Sequence, residues 1–399
     1  PATAAGRASQ HLAEQLCQQP PAVFLPERRA SQAGLEAVAS RLASARSGLI
    51  LAGPAPVAAA GRREAVVALA RATGFPVYAE ATSQLRWWAR PADVFWWDTL
   101  DLAAHALTEA PEVVLELGQP VVAGSHGRAL AALGAERVVL SDGPWADWQG
   151  TAGTFVFGDL SDALPRLAEC AEAHVKGRGA PASPPSWAAL AQATRDQVDA
   201  AVARGQDTEL AAVHALARHV PAGTQWMIGN SLAVRAIDWF ARPERHAVVL
   251  HQRGANGIDG TIAGAVGSAR ATGTPTVVLL GDVTARHDLT SLALASGSDT
   301  PVVVVVLHNG GGRIFDLLPV ATHPAVTEAQ RQHLTTPDAR GFRGVAELFG
   351  VSHQVVTPAD LGPAVEVALT TAGATLLEVP VAPHGTATWV KRIRAALQP

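Results

Sequence analysis

The chain contains 399 residues, of which 48% are apolar and 17% charged, and its formal net charge is −4. This length predicts roughly two or three domains, and the apolar fraction is ample for buried cores. The slightly acidic balance argues against a nucleic-acid partner, which would normally leave a basic stripe. No apolar run approaches the roughly 20 residues of a membrane helix, and the first residues do not resemble a secretory signal. We therefore expect no membrane partner and a cytoplasmic location.

Sulfur-containing residues are scarce. The two cysteines, Cys17 and Cys170, are far apart and outside any metal-ligand spacing. We expect both to be reduced thiols, as is usual in a cytosolic protein. The single methionine is Met227, and the sequence does not begin with one. We expect from this a processed, trimmed or fragmentary chain.

The first half of the chain alternates short apolar segments with alanine-rich ones. Residues 1–20 are rich in Ala and Gln and indicate a tail or linker with some helix. Residues 21–175 predict a middle α/β domain with helices over Leu35–Ala45 and near Arg62–Ala72. Its predicted strands are Gly48–Ala52, Pro76–Ala79, Glu112–Leu117, Arg137–Leu140 and Thr154–Phe157. Strands that alternate with helices indicate a parallel sheet covered on both faces.

A tryptophan-rich segment, Leu85–Trp97, interrupts this alternation. It contains Trp87, Trp88, Trp96 and Trp97. These side chains could line the mouth of an active site or form a dimer contact. The interpretation that we favour is half-buried aromatic side chains packed on the sheet.

The second half predicts another α/β unit. Residues 176–206 are interpreted as a linker and connecting helix, because Lys176–Ser186 is rich in Gly, Pro and Ser. Helices are predicted near Trp187–Arg204 and Thr208–His219, and residues 207–399 form the second predicted domain. Its predicted strands are Gln225–Ile228, Ala247–Leu250, Thr276–Leu280, Pro301–Leu307, His353–Val356 and Thr375–Val379. The predicted fold class is therefore α/β, with two three-layer α/β/α domains and mainly parallel sheets.

Polar residues close two of the predicted strands. Asp282 follows Thr276–Leu280 and Gly281, and Asn309 follows the next strand and precedes a run of three glycines. In a parallel sheet both lie at the carboxyl edge, where open α/β folds bind ligands. A carboxylate, an amide oxygen and the carbonyl of Gly311 are hard oxygen donors that suit Mg²⁺. The alternative is that Asp282 caps a helix and Asn309 occupies a turn.

The Gly-Asp…Asn pattern resembles the metal-binding signature of thiamine-diphosphate enzymes. Three further segments, Gly229–Asp238, Arg253–Gly260 and Ile314–Pro319, resemble one branch of that superfamily. That branch is the 2-succinyl-5-enolpyruvyl-6-hydroxy-3-cyclohexene-1-carboxylate synthases of menaquinone biosynthesis. The close resemblance covers roughly residues 224–380, and a looser one to the family's middle domain covers residues 47–175.

The resemblance implies thiamine diphosphate and Mg²⁺, or Mn²⁺, as cofactors. It assigns the metal to Asp282, Asn309 and Gly311, and the catalytic contacts with substrate carboxylates to Ser231, Arg235 and Arg253, because guanidinium groups bind carboxylates bidentately. It assigns to Ile258 the support of the bent cofactor conformation. The implied cofactor-binding set is Asn230, Ser231, Gly254, Asn256, Gly257, Ile258, Gly281, Asp282, Val283, Thr284, Ile314, Phe315 and Leu318.

The resemblance also implies a reaction and partners. The expected substrates are 2-oxoglutarate, which is decarboxylated, and isochorismate, to which the remaining carbon chain is added. Members of the family are expected to be homodimers or tetramers whose sites include a pyrimidine-binding domain with an activating glutamate. No segment resembles that domain, and Glu14, Glu27 and Glu36 lie in tail or helix contexts. We therefore expect a separate pyrimidine-binding chain, or weak cofactor binding and negligible synthase activity by this chain alone.

Two other functions remain open from the sequence. One is a different thiamine-dependent lyase or decarboxylase, such as an acetolactate-synthase-like enzyme, although Arg235, Arg253 and Ile314–Pro319 argue against it. The other is a cofactor-binding module without catalytic activity. Turnover of pyruvate compared with 2-oxoglutarate plus isochorismate would distinguish these functions.

Overall fold

A computed structural model of the chain describes residues 3–18, 22, 24, 27–122, 124–143, 145–147, 150–176, 183–242 and 244–398. Its strands form two separate sheets, one from each half of the chain, and every strand pairing within them is parallel. The predicted fold class is confirmed. The proposed domain limits stay predictions. Residues 177–182, the greater part of the Gly-, Pro- and Ser-rich segment Lys176–Ser186, lie outside the described residues.

The first sheet has five strands in the order β2-β1-β3-β4-β5. Its strands are β1 (Gly48–Ala52), β2 (Val77–Ala79), β3 (Val113–Leu117), β4 (Glu136–Ser141) and β5 (Ala152–Phe157). Alternate residues of β1 enter different cores, since Ile50 packs with the helices on one face and Leu49 with those on the other. This two-sided burial explains why the strands are apolar without interruption.

The second sheet has six strands in the order β10-β11-β9-β8-β6-β7. Its strands are β6 (Gln225–Ile228), β7 (Val248–His251), β8 (Thr276–Gly281), β9 (Val302–His308), β10 (Ser352–Val355) and β11 (Ala374–Pro380). Val303 and Val305 of β9 face one core, and Val304 faces the other. The predicted strands are all present, with ends that differ from the predictions by one or two residues.

The helices cover both faces of the sheets and connect them. They are α1 (Ala4–Gln18), α2 (Gln32–Ser44), α3 (Arg63–Thr73), α4 (Leu100–Ala103), α5 (Ser125–Ala132), α6 (Leu160–Val175), α7 (Pro185–Arg204), α8 (Glu209–His219), α9 (Leu232–Phe240), α10 (Thr261–Thr272), α11 (Asp282–His287), α12 (Leu292–Ser296), α13 (Glu328–Thr335), α14 (Arg343–Phe349), α15 (Leu361–Ala368) and α16 (Gly385–Ala396). Both cysteines are free thiols. Within the described residues, no helix is both long and apolar enough to span a membrane.

The tryptophan-rich segment contributes to the contact between the two halves. Trp87 is 2% exposed, and its ring centroid lies 4.9 Å from that of Trp226 on β6. Trp97 is also buried and packs on Trp187 of α7. The expectation of half-buried side chains is therefore correct for Trp88 and Trp96 and wrong for Trp87 and Trp97. Residues of the second half cover Trp87, and Trp97 packs in a cluster that includes Trp187 of α7.

Candidate functional site

The predicted metal ligands lie together at the carboxyl ends of β8 and β9. These strands are adjacent, and Gly281 is in register with Leu307, so the residues that follow them meet. Asp282 is 2% exposed; its Oδ1 accepts a hydrogen bond from Val283 N and its Oδ2 accepts one from Gly311 N, both at 2.8 Å. Burial raises the pKa of the Asp282 carboxyl, although these backbone donors favour its charged form.

Asn309 presents a bare amide oxygen at the same place. Its Nδ2 donates to Glu209 Oε1 at 2.8 Å, which fixes the orientation of the amide. Its Oδ1 is buried, and no described residue donates a hydrogen bond to it. Buried polar atoms normally have partners, so an oxygen left bare beside a carboxylate indicates a ligand site.

Glu209 was not predicted from the sequence as a site residue. It opens α8, is 1% exposed, and its Oε2 accepts a hydrogen bond from Thr386 Oγ1 at 2.8 Å. Burial raises the pKa of this carboxyl. The Thr208-Glu209 pair resembles an ordinary helix start, and its contact with Asn309 spans 100 positions. A local sequence pattern therefore gives no indication of this role.

The glycine loop requires glycine at Gly311. Its φ is +134°, and a Cβ there would lie 2.3 Å from the carbonyl oxygen of Thr335. The next residue, Gly312, donates its N–H to the same oxygen at 2.6 Å. Any side chain at Gly311 would displace the loop from the end of α13.

A cavity of about 40 Å³ brings much of the predicted cofactor set together. The predicted residues that line it are Asn230, Ser231, Gly281, Asp282, Val283, Thr284, Asn309, Gly311 and Ile314. Ser231 precedes α9 with φ +66° and ψ −127°, a conformation that is unfavourable for any residue other than glycine. Strained backbone of this kind is concentrated at ligand-binding sites, and the N–H groups at the start of α9 suit an anion.

A larger cleft of about 780 Å³ lies beside this cavity and contains Arg253, Gly254 and Asn256. Arg253 Nη1 donates to Asn230 Oδ1 at 2.8 Å, so one contact joins a residue of the cleft to a residue of the small cavity. Asn230 Nδ2 donates in turn to Gly257 O at 2.5 Å. Arg235 is half-buried and donates to Ser231 O at 2.7 Å and to Val122 O at 3.2 Å.

Five predicted residues are not among those that line either cavity, and one of them is Arg235. Gly257 acts through its carbonyl, and Ile258 is half-buried in the same loop. Phe315 is half-buried and Leu318 is 47% exposed in the segment after the glycine loop. The role of these side chains toward a cofactor stays a prediction.

The first half of the chain also contributes to the cleft, which the sequence did not indicate. Residues 54–57, after β1, and 119–122, after β3, line it opposite β7. Within the described residues, no group of three or more His, Cys, Asp or Glu side chains could hold a metal ion. The predicted metal ligands are instead one carboxylate, one amide oxygen and the backbone carbonyl of Gly311, and their role toward a metal stays a prediction.

Comparison with known proteins identifies relatives of both halves. Residues 228–379 match the family model described as the thiamine pyrophosphate enzyme, C-terminal TPP binding domain. The 2-succinyl-5-enolpyruvyl-6-hydroxy-3-cyclohexene-1-carboxylate synthase of Sorangium cellulosum is 36% identical over 374 residues, which are 90% of this chain and 61% of that protein. The synthase of Myxococcus xanthus is 34% identical over 364 residues, 89% of this chain and 60% of that protein.

A solved structure shares the fold. It is an X-ray structure of a protein from Mycobacterium smegmatis described as a thiamin diphosphate-dependent enzyme, with a TM-score of 0.61 and 21% identity. The similarity covers 91% of this chain and 67% of that one. This chain spans about three fifths of the length of the curated relatives that it matches. Residues 228–379 therefore contain the C-terminal domain of thiamine pyrophosphate enzymes, and most of the chain is similar to the 2-succinyl-5-enolpyruvyl-6-hydroxy-3-cyclohexene-1-carboxylate synthases.

Proposed function

We propose that this chain forms the diphosphate-binding and substrate-binding parts of a thiamine-diphosphate-dependent synthase. The proposed reaction is decarboxylation of 2-oxoglutarate and addition of the remaining four-carbon unit to isochorismate, in menaquinone biosynthesis. The observation that carries the proposal is the bare Oδ1 of Asn309 beside Asp282 in a buried cavity at the ends of two adjacent strands. A cytoplasmic homo-oligomer is part of the same proposal.

The residues present fit the metal and the diphosphate. Asp282 supplies the charged oxygen, and Asn309 supplies a neutral one whose direction is fixed by Glu209. The backbone carbonyl of Gly311 is the proposed third ligand. Mg²⁺, or Mn²⁺ in its place, suits such oxygen donors and commonly shares them with phosphate. Backbone N–H groups at the start of α9 would face the diphosphate.

Bound thiamine diphosphate would supply the electron sink for the loss of CO₂ and for transfer of the remaining carbon chain. The protein's own groups would orient the reactants. Burial lowers the pKa of the Arg235 and Arg253 guanidiniums, because a charge in a half-buried site loses hydration. A carboxylate ligand restores that lost stabilisation, which fits a substrate with two carboxylates.

A pyrimidine-binding domain of the family would complete the proposed site. In this proposal it supplies the glutamate that contacts the aminopyrimidine ring, either within the same natural polypeptide or from a separate chain. The cleft beside Arg253 measures about 780 Å³, which leaves room for such a contribution. Mixing this chain with a family pyrimidine-binding domain should raise turnover above that of the chain alone.

The metal site is tested with Asp282→Ala and Asn309→Ala. Asp282→Ala should abolish Mg²⁺-dependent binding of thiamine diphosphate, because the proposed site then has no charged ligand. Asn309→Ala should weaken binding by about tenfold or more, in line with the loss of a charge-assisted contact of roughly 1.5–3 kcal/mol. Calorimetric titration with and without Mg²⁺ measures both. Asp316→Ala is the control, because Asp316 pairs with His384 instead of lining the cavity. Unchanged cofactor affinity in Asp282→Ala would refute the assignment.

Substrate recognition is tested with Arg235→Ala and Arg253→Ala. Each should raise the KM for 2-oxoglutarate by about ten- to a hundredfold while cofactor affinity changes little. Pyruvate and 2-oxoglutarate plus isochorismate are compared as substrates, with the product identified by mass spectrometry. Preference for pyruvate would favour the acetolactate-synthase-like function. Equal losses of cofactor and substrate binding would place these arginines in the diphosphate site.

A further inference from the structure

Glu80 is a buried carboxyl group for which the proposed function has no role. It follows β2 in the first half of the chain and is 0% exposed. Its Oε2 accepts a hydrogen bond from Val122 N at 2.7 Å, and its Oε1 accepts one from Thr82 Oγ1. Burying a carboxyl group is costly, and an apolar side chain would fill the same space without that cost.

The backbone of Val122, which Glu80 contacts, leads to the proposed substrate site. Val122 donates its N–H to Glu80, and its carbonyl oxygen accepts a hydrogen bond from Arg235 Nη2 at 3.2 Å. The other terminal nitrogen of Arg235 donates to Ser231 O at 2.7 Å. These two carbonyls fix the direction of the guanidinium, and Glu80 determines the position of one of them.

Charged and titratable groups surround Glu80 on several elements. Tyr78 lies on β2, just before Glu80; Asp238 and Arg235 face Glu80 from α9, and Arg253 faces it from the loop after β7. Burial and the nearby Asp238 raise the pKa of Glu80 to about 8, although the hydrogen bonds from Thr82 and Val122 and the charge of Arg253 lower it. Near neutral pH the Glu80 carboxyl is therefore largely protonated, and it does not offset the positive charges of Arg235 and Arg253.

We propose that Glu80 is a positioning residue for substrate binding: it fixes Arg235 through the backbone of Val122 and, when ionised, competes with the substrate carboxylate for Arg235 and Arg253. This inference rests on the proposed function, in which these arginines bind the carboxylates of 2-oxoglutarate. It extends that function by giving a residue of the middle domain control over substrate affinity.

The test uses the whole natural polypeptide in which this sequence occurs, with thiamine diphosphate and Mg²⁺ bound. Glu80→Ala should raise the KM for 2-oxoglutarate by about tenfold, with cofactor affinity unchanged, because Arg235 loses its fixed direction. In the Arg235→Ala background the same substitution should add nothing, since its effect passes through that side chain. Asp98→Asn is the control: Asp98 is also buried in this half of the chain, but it pairs with Arg90.

Glu80→Gln provides a second measurement if Glu80→Ala does not fold. It keeps the size of the side chain and an oxygen acceptor for Val122 N, so KM at pH 7 should stay within about twofold of the natural protein. Between pH 7 and pH 9 the KM of the natural protein should rise as its carboxylate forms, and that of Glu80→Gln should rise less. Identical pH profiles, or a tenfold loss at pH 7, would overturn the inference.

The outcomes separate the two proposals. An unchanged KM in Arg235→Ala overturns the proposed function and this inference with it. If the KM is raised in Arg235→Ala but unchanged in Glu80→Ala, the inference alone is overturned. Additive losses in the double variant, or an equal loss in Asp98→Asn, would also overturn it, because they indicate a general effect on folding.

Discussion

Replacing Arg86 should weaken the contact between the two halves of the chain and lower the free energy of unfolding. Arg86 is 1% exposed in the first half, and its Nη2 donates to the carbonyls of Asp238 and Ala241 in the second half, both at 3.0 Å. Its Nη1 lies 3.4 Å from Asp238 Oδ1, and the Asp238 side chain is fully buried. The guanidinium is therefore both a charge partner and a hydrogen-bond donor across the contact.

The expected cost of Arg86→Met is about 3–5 kcal/mol of unfolding free energy, the usual cost of leaving a buried charge without its partner. Burial raises the pKa of Asp238 to about 6 even though Arg86 lowers it, so the carboxylate depends on Arg86 for its charge at neutral pH. Adding Asp238→Asn should recover part of the loss, because no unpaired buried charge then remains. Asparagine can still accept the hydrogen bond that Ala81 N donates to Asp238 Oδ1.

Urea unfolding followed by tryptophan fluorescence is the assay. Trp87 and Trp226 meet at the contact, so their emission reports separation of the halves as well as global unfolding. Arg71→Met is the control, because Arg71 pairs with Asp93 on the surface, where water screens the pair, and its loss should change the urea midpoint little. A cost below about 1 kcal/mol for Arg86→Met, or a further loss on adding Asp238→Asn, would refute the reasoning.

Three other predictions concern the site and its surroundings. Gly311→Ala places a Cβ 2.3 Å from a carbonyl oxygen, so it should lower the melting temperature and the Mg²⁺ affinity in thermal-shift assays. Gly344→Ala is the control: its Cβ would meet no atom within 4 Å, so it should change neither quantity. Glu209→Ala frees the Asn309 amide to rotate, and calorimetry should show Mg²⁺ affinity reduced about ten- to a hundredfold. Glu80 has a folded-state pKa of about 8 against 4.5 for the ordinary carboxyl, so the folded state binds the proton more tightly. Stability should therefore fall as pH rises from about 4.5 to about 8, and urea midpoints at pH 5 and pH 8.5 should differ less in Glu80→Gln.

The sequence predicted the fold and the centre of the candidate site well. Buried parallel strands have a distinct apolar pattern, and a polar residue directly after such a strand has only one edge of the sheet to occupy. Asp282 and Asn309 could therefore be placed together from the amino-acid sequence alone. The positions of Asn230 and Ser231 followed for the same reason, because a strand that leads into a helix ends at that edge.

Contacts between distant parts of the chain could not be predicted. Glu209 orients Asn309 from 100 positions away in the chain. Glu80 and Val122 follow two different strands, and no local sequence pattern indicates their contact. The burial of Trp87 was likewise missed because its cover comes from β6 and α9, in the other half. An aromatic or acidic side chain has the same local pattern whether or not another domain packs over it.

The two cavities draw on different parts of the chain. The small one is lined only by residues from 209 onward, whereas the larger cleft also includes residues 119–122 from the loop after β3. If the proposed function is correct, substitutions in that loop should alter which acids are accepted without touching the groups proposed to bind the metal and diphosphate. Under that proposal, the loop is a natural target for libraries that seek new substrates, and evolution has the same freedom to diversify specificity while the proposed cofactor site stays constant.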